Sequence, residues 1–396
     1  MRFLFLTQYF PPEIAAPQVR LAAMIRELVR LGQEVEVVTA LPNHPVGRIF
    51  PGYERKLYLR QTWEGILVHR VWLYASMGAG TRRMLNYGSF MATCLLGLAR
   101  AKRPDYLFVE SPPLFLGMAA SLASTAWRAP FIFNVADLWP DSVRQLGLMR
   151  DGTVLRAMER LERWTYRKAG YVNAVTEGIR DTLVQQKHVP PEKVLFLPNG
   201  VDTQAFHPAP PDCELAERLG LVGKKLVLYA GTHGFVHGIE FALQAAQLLQ
   251  KRPDVVFLFV GDGSEKSKMV DTASELALKN VRFLDPIPPR ELARLFTLAQ
   301  VGLCTLRRGP LFESTRLVKA LAAMASGVAV LYSGAGEGAR LIQAAKAGII
   351  TEPEDVEAMA EAVVKLVDDP ALAKQLGGNG RAYVEKYMSW SALVAG

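Results

Sequence analysis

The sequence predicts an α/β protein built as two doubly wound, Rossmann-like domains in tandem. Three observations carry this. The chain has 396 residues, too many for one ordinary α/β core and suited to two of about 200 residues each. Short apolar runs alternate with helical segments of about 10–15 residues, the pattern of parallel βαβ units. The alternation pauses at a turn-rich stretch, His207-Pro208-Ala209-Pro210-Pro211-Asp212, and then begins again.

Phe3–Thr7 reads as a first buried strand, too short and too soon interrupted for a signal peptide. Apolar residues at helical spacing follow over Pro17–Leu31, then a strand at Glu34–Thr39. A helix over Met84–Ala101, strands at Tyr106–Glu110 and Phe131–Val135, a helix over Leu155–Lys168 and a strand at Tyr171–Thr176 complete a first domain, residues 1–190. After Pro198-Asn199-Gly200-Val201-Asp202, strands at Lys225–Ala230, Val255–Val260, Val281–Leu284, Val301–Thr305 and Val328–Tyr332 define a second, residues 191–375. A terminal helical segment, about Ala371–Val394 with Trp390, makes residues 376–396 a candidate brace that crosses back to the first domain. Ligands of such sheets sit at the carboxyl ends of the strands. Two facing sheets put the expected site in the cleft between them.

Composition narrows the class. Half of the chain is hydrophobic and 21% is charged, a globular balance without low-complexity tracts. The net charge of +8 is uneven: residues 1–190 hold 24 Lys/Arg against 15 Asp/Glu, a net of +9, and the remainder nets −1. The basic half suits anionic lipid headgroups, a lipid pyrophosphate, or simply a basic surface. Zinc-finger spacing, an RNA-recognition motif and an arginine-rich arm are all lacking, so nucleic acid is not an expected partner. Cys94, Cys213 and Cys304 share no metal-ligand spacing and indicate a reducing compartment. The most apolar stretches, Met84–Ala99 and Leu114–Trp127, fall short of a membrane span. The expected location is cytoplasmic, peripheral on the inner face of the cytoplasmic membrane. Arg55, Lys56, Arg60, Arg82 and Arg83 beside Met84–Ala99 form the expected basic-apolar contact with anionic lipid.

Several segments, in order along the whole chain, resemble the family-four GT-B glycosyltransferases. They are Pro11-Pro12-Glu13-Ile14-Ala15-Ala16-Pro17 with Arg20; Pro42-Asn43-His44-Pro45-Val46-Gly47-Arg48-Ile49-Phe50-Pro51-Gly52-Tyr53; Ser111-Pro112-Pro113-Leu114; and Asp137-Leu138-Trp139-Pro140-Asp141-Ser142. The second half adds Pro198-Asn199-Gly200-Val201-Asp202, Val260-Gly261-Asp262-Gly263 and Ala325-Ser326-Gly327-Val328-Ala329-Val330. The first four look like the branch that adds amino-deoxy sugars such as N-acetylfucosamine during O-antigen or capsule assembly.

The resemblance implies site residues. Relatives carry glycine in the loop after the first strand, where backbone N–H groups approach the donor phosphate; Ala15 and Ala16 stand there. Ala136 stands where relatives place His or Arg. Asp137, on a loop at a strand's carboxyl end, is the expected polar contact to donor sugar or acceptor; alternatively Asp137 and Asp141 only cap the turn and following helix. Glu13, Arg20, Asn43 and Asp141 are the remaining implied acceptor contacts. Gly231, His233 and Gly234 lie in the first loop of the second domain, and His237 takes the place of a diphosphate-binding basic residue. Gly261, Gly263 and Ile287 are further implied donor contacts. Of the family's paired glutamates, the first falls on Ser314 with Glu313 one residue away, and the second, which grips the ribose, falls on Ala322. Arg316 and Lys319 are three apart, so a helix starting near Ser314-Thr315 would put both on one face as a diphosphate clamp; the alternative is a solvated basic face.

If active, such an enzyme retains anomeric configuration, with the leaving phosphate able to take the acceptor's proton. Its task is then mainly electrostatic stabilisation in a site closed to water. No cofactor or metal is expected. The substrates would be a UDP- or GDP-linked sugar and a lipid-linked or saccharide acceptor. Two alternatives stay open: an impaired paralogue acting as a binding partner, suggested by Ala15, Ala136 and Ala322, and a sugar-nucleotide epimerase.

Overall fold

The computed structural model describes residues 1–13, 16–44, 46–76, 80–145, 152–314 and 318–395. The chain divides into two compact units, Met1–Pro198 and Asn199–Gly396.

The first unit holds an eight-stranded sheet: β1 (Arg2–Leu6), β2 (Glu34–Ala40), β3 (Tyr58–Trp63), β4 (Ile66–Val71), β5 (Tyr106–Ser111), β6 (Phe131–Val135), β7 (Tyr171–Ala174) and β8 (Val194–Phe196). Their order is β3-β4-β2-β1-β5-β6-β7-β8. All neighbours are parallel except the β3–β4 hairpin, so the sheet is mixed. Glu64 and Gly65 at its tip both have positive φ, 48° and 82°, as a two-residue primed turn requires. One face of the sheet, through Leu4, Leu6, Val38, Leu107, Val109, Phe131 and Phe133, packs against the helices Thr81–Leu98, Leu116–Trp127, Thr153–Lys168 and Glu177–Gln185.

The second unit holds six strands: β9 (Lys225–Ala230), β10 (Val255–Val260), β11 (Val281–Leu284), β12 (Ala299–Thr305), β13 (Ala329–Ser333) and β14 (Gly348–Thr351). They are parallel throughout, in the order β11-β10-β9-β12-β13-β14. Alternate residues serve two faces: Leu226 and Leu228 join a cluster with Ala320–Ala325, and Val227 and Tyr229 join another with Ile239–Ala246. A sheet covered on both faces accounts for runs as uniformly apolar as Val255–Val260.

Four strands, β3, β4, β8 and β14, go beyond those expected from sequence. In β4 the buried His69 and Arg70 interrupt the apolar run, and β8 is only three residues long. Because β8 pairs with β7, the first unit runs to Pro198 rather than to residue 190. The terminal segment is two helices, Pro370–Tyr387 and Trp390–Ala395, broken where Ser389 bridges to Val201. Val384 and Met388 join the second unit's own core. The ring of Trp390 lies against Gly200, where a Cβ would come 2.9 Å from it.

Candidate functional site

In the second sheet the chain leaves β9 toward β10 and β11, then returns to the other side for β12. The crevice outside the carboxyl ends of β9 and β12 is the switch point where ligands of doubly wound sheets bind. Gly231 to Gly238 leave β9 there, and Gly261-Asp262-Gly263 leave β10 beside them.

These loops touch. The His233 N–H donates to the Asp262 carbonyl (2.9 Å) and the Glu265 N–H to the His233 carbonyl (2.9 Å). A Cβ on Gly261, at φ 144°, would lie 2.0 Å from the Gly231 oxygen, and one on Gly263 2.3 Å from the His233 oxygen. Only glycine fits either place.

Lys319 closes the cluster. It sits on the helix Val318–Ala325 and aims its ammonium at the Tyr229 ring, 3.8 Å from the centroid. Its Nζ donates to the Tyr229 hydroxyl. Its Cε would lie 3.0 Å from a Cβ on Gly231. No carboxylate among the described residues pairs with it. Although the residue keeps some exposed surface, burial of the amine pulls its pKa down to about 7. His233 is fully buried with neither ring nitrogen hydrogen-bonded, and the Nδ1 of His237 is likewise buried and unpartnered among the described residues. Burial, then Lys319, then His233 push His237 down to about 2. Burial, then Lys266 and Lys319 push His233 down to about 4. A buried cation without a counter-ion, among unpaired nitrogens and bare glycine backbone, is a site shaped for an anion.

Thus Gly231, His233, Gly234, His237, Gly261, Gly263 and Lys319 come together. Ile287, in the turn after β11, packs against the core instead. Glu313 is exposed on the short helix Pro310–Glu313. It lines a cavity of about 120 Å³ with Arg308, Ala335 and Glu352. Ala322 is buried in the core and supplies no carboxylate. Ala15 and Arg316 lie outside the described residues, as does the side chain of Ala16.

In the first unit the corresponding switch lies between β1 and β5. Glu13 staples the loops there: its carboxylate accepts from the N–H groups of Phe10 (3.1 Å), Asn43 (2.9 Å) and His44 (2.8 Å). Burial raises its pKa to about 7 against the pull of those donors and Arg70. Asn43 is buried and also donates to the Leu41 carbonyl (3.0 Å). Both residues therefore hold loops in place. Arg70, fully buried, donates to the carbonyls of Ala40 and Pro11.

Arg20 pairs with Glu110 in the interior. The other Glu110 oxygen accepts from Asn134 (2.9 Å), the Asn134 oxygen from Asn173 (2.6 Å), and the Asn173 oxygen from the Leu197 N–H (2.7 Å). This polar ladder crosses β5, β6 and β7 and ends at the last residues of the unit. Arg70, Glu110, Asn134 and Asn173 were all passed over in the sequence. The available signal was a polar side chain inside an otherwise apolar strand, which needs a buried partner.

Asp137 is exposed as a residue, yet crowding of its carboxylate raises its pKa against hydrogen bonds from Ser142 Oγ (2.9 Å) and Leu138 N. Asp141 is engaged by Lys187 at 2.7 Å, and the same ammonium meets Glu162 at 2.8 Å.

Residues 16–200 match the glycosyl transferase 4-like domain, and residues 214–383 match the glycosyl transferases group 1. The glycosyl transferase WcaI of Escherichia coli (strain K12), named for colanic acid biosynthesis, is 28% identical over 316 residues, 77% of this chain and 76% of its own. Sucrose-phosphate synthase from Thermosynechococcus elongatus superposes with a TM-score of 0.78 at 18% identity, over 100% of this chain and 96% of its own. HepE from Anabaena, solved in complex with UDP-glucose, gives 0.72 at 17% identity, over 99% and 97%. These two likenesses establish the fold as GT-B, two Rossmann-like α/β units in one chain.

Proposed function

The chain belongs to the glycosyltransferases, with a 4-like N-terminal half and a group 1 C-terminal half, and we propose that it moves a sugar, with retention, from a nucleoside-diphosphate sugar to a lipid-linked saccharide of a surface polysaccharide. The observation that carries this is the Lys319 ammonium, buried beside His233, His237 and the glycine loops with no counter-ion among the described residues. A donor diphosphate supplies the missing charge, and the same contacts stabilise the charge that grows on it as the glycosidic bond breaks. Binding of UDP-glucose by the HepE neighbour and the colanic acid name of the E. coli relative support the donor class and the pathway. The N-terminal motifs favour an amino-deoxy sugar, and the basic first half favours work at the cytoplasmic membrane face. In this reading Asp137 contacts the reacting sugar or acceptor and Glu313 the donor sugar.

A thermal-shift screen against UDP-, GDP- and ADP-sugars, followed by proton NMR of the product, tests the proposal. The expected outcome is a shift with UDP- or GDP-sugars and an α-linked product from an α-linked donor. An inverted product refutes retention. Ala136 and the carboxylate-free Ala322 favour a second reading, a binding partner without turnover; a thermal shift with neither transfer nor donor hydrolysis would select it. Epimer formed without acceptor would instead make the protein an epimerase.

A further inference from the structure

One face of the first unit combines exposed apolar surface with a scarcity of acidic residues. The helix Thr81–Leu98 buries Tyr87, Phe90, Cys94 and Leu98 and turns Leu85, Ala92 and Leu95 outward. The helix Leu116–Trp127 packs alongside it and turns Met118 and Leu122 outward. Leu85 is 60% exposed and Leu122 62%. Trp72 and Tyr74, also exposed, flank the first of these helices: Thr93 Oγ1 donates to the Trp72 carbonyl (2.5 Å) and the Tyr74 N–H to Ser89 Oγ (2.8 Å).

The chain has no Asp or Glu from Gly65 to Pro104, nor from Ser111 to Ala136. Arg82, Arg83 and Arg100 mark the ends of the first helix, and Arg128 caps the second. On the far side of the second helix packs Thr153–Lys168, which exposes Arg156, Arg160, Arg163, Arg167 and Lys168. Leu57 and its neighbours Arg55 and Lys56 join from the β3 side, where the Leu57 carbonyl accepts from Trp72 N (2.9 Å).

We propose that this two-helix face lies on an anionic lipid surface. Exposed leucines with Trp and Tyr at their edge suit the boundary between headgroups and acyl chains, and the surrounding cations suit a negatively charged leaflet. Among the described residues no helix is long and apolar enough to cross a membrane, so the face rests on the bilayer. A second copy of the chain is disfavoured as occupant, because arginines and lysines on this face outnumber its acidic neighbours Glu54 and Glu159, so self-association would oppose mainly like charges. The inference rests on the reading above for the lipid character of the acceptor, and it adds the surface by which the enzyme reaches that acceptor.

Co-sedimentation of the full chain with phosphatidylglycerol–phosphatidylcholine vesicles, against phosphatidylcholine alone, tests it. Binding should require the anionic lipid and weaken with salt. Arg156→Glu with Arg160→Glu should lower it by about thirtyfold or more, and Leu85→Glu with Leu122→Glu should abolish it. These positions are exposed, so melting temperatures should match the parent. Absence of binding to anionic vesicles at low salt overturns the proposal, as does equal binding to both vesicle types or unchanged binding by the variants. A dimer that Leu85→Glu dissolves, without vesicle binding, assigns the face to a second copy. Nucleotide binding, measured in parallel, should be intact in every variant. Its absence in the parent would count against the transferase reading and leave the lipid result standing.

Discussion

Replacing Arg20 with Met should destabilise the first unit by about 3–5 kcal/mol, because it strands the Glu110 carboxylate in the interior. Arg20 and Glu110 are both at least nine-tenths buried and pair directly. Burial already raises the Glu110 pKa, and Arg20 is the largest influence opposing that rise. Without the guanidinium the carboxyl titrates higher still. Its ionisation then counts against folding as pH rises from the unfolded-state value toward the new folded one. The deficit should therefore be largest at neutral pH and shrink in acid. Urea unfolding followed at several pH values measures this. Adding Glu110→Gln to Arg20→Met should restore much of the loss, since an uncharged amide can keep the Asn134 contact. A loss below about 1 kcal/mol, or one independent of pH, would mean that the pair is not holding the fold.

Lys319→Met should have opposite effects on folding and on binding. In the free protein the amine is buried without a counter-ion among the described residues, so its removal should leave stability unchanged or raised. Nucleoside-diphosphate affinity should fall by roughly ten- to a hundredfold, about 1.5–3 kcal/mol for a lost charge-assisted contact. The nucleoside alone should lose much less. The pH dependence has a definite sign. With a pKa of about 7 in the free protein, the amine is charged below that value and neutral above it. A bound diphosphate favours the charged form. Affinity should therefore be nearly constant below pH 7 as far as this group is concerned, and weaken by up to about tenfold per unit above it. His233 and His237, held at about 4 and about 2, stay neutral across the range. Calorimetric titration of parent and Lys319→Met at several pH values checks both parts, and a flat profile in the parent would contradict the role given to Lys319.

The residues that the sequence made legible are those whose chemistry is local. A strand such as Val255–Val260 declares itself because a parallel strand covered on both faces must be apolar at every position. Gly231, Gly261 and Gly263 were legible only through the family resemblance; the structure supplies the reason for Gly261 and Gly263, where a Cβ would strike the backbone of Gly231 and His233. The hairpin around Gly65 was missed because His69 and Arg70 break the apolar run of β4. Their burial depends on Glu36, Pro11 and Ala40, which lie far away in sequence. The same holds for Glu110 and Asn173: a polar side chain in a strand reads as an edge or a turn until its partner is known. Glu13 and Asp141 show the converse. The motifs around them were visible, but their use as a loop staple and as the partner of Lys187 depends on contacts that no motif contains.

On the proposed function, a donor diphosphate should dock where β9, β10 and the helix Val318–Ala325 meet. Amide hydrogen exchange with and without saturating UDP or GDP tests it most directly. Slowed exchange should concentrate in residues 231–238, 261–264 and the first turn of 318–325. Unchanged exchange in all three segments, with ligand binding verified and protection found elsewhere, would contradict it.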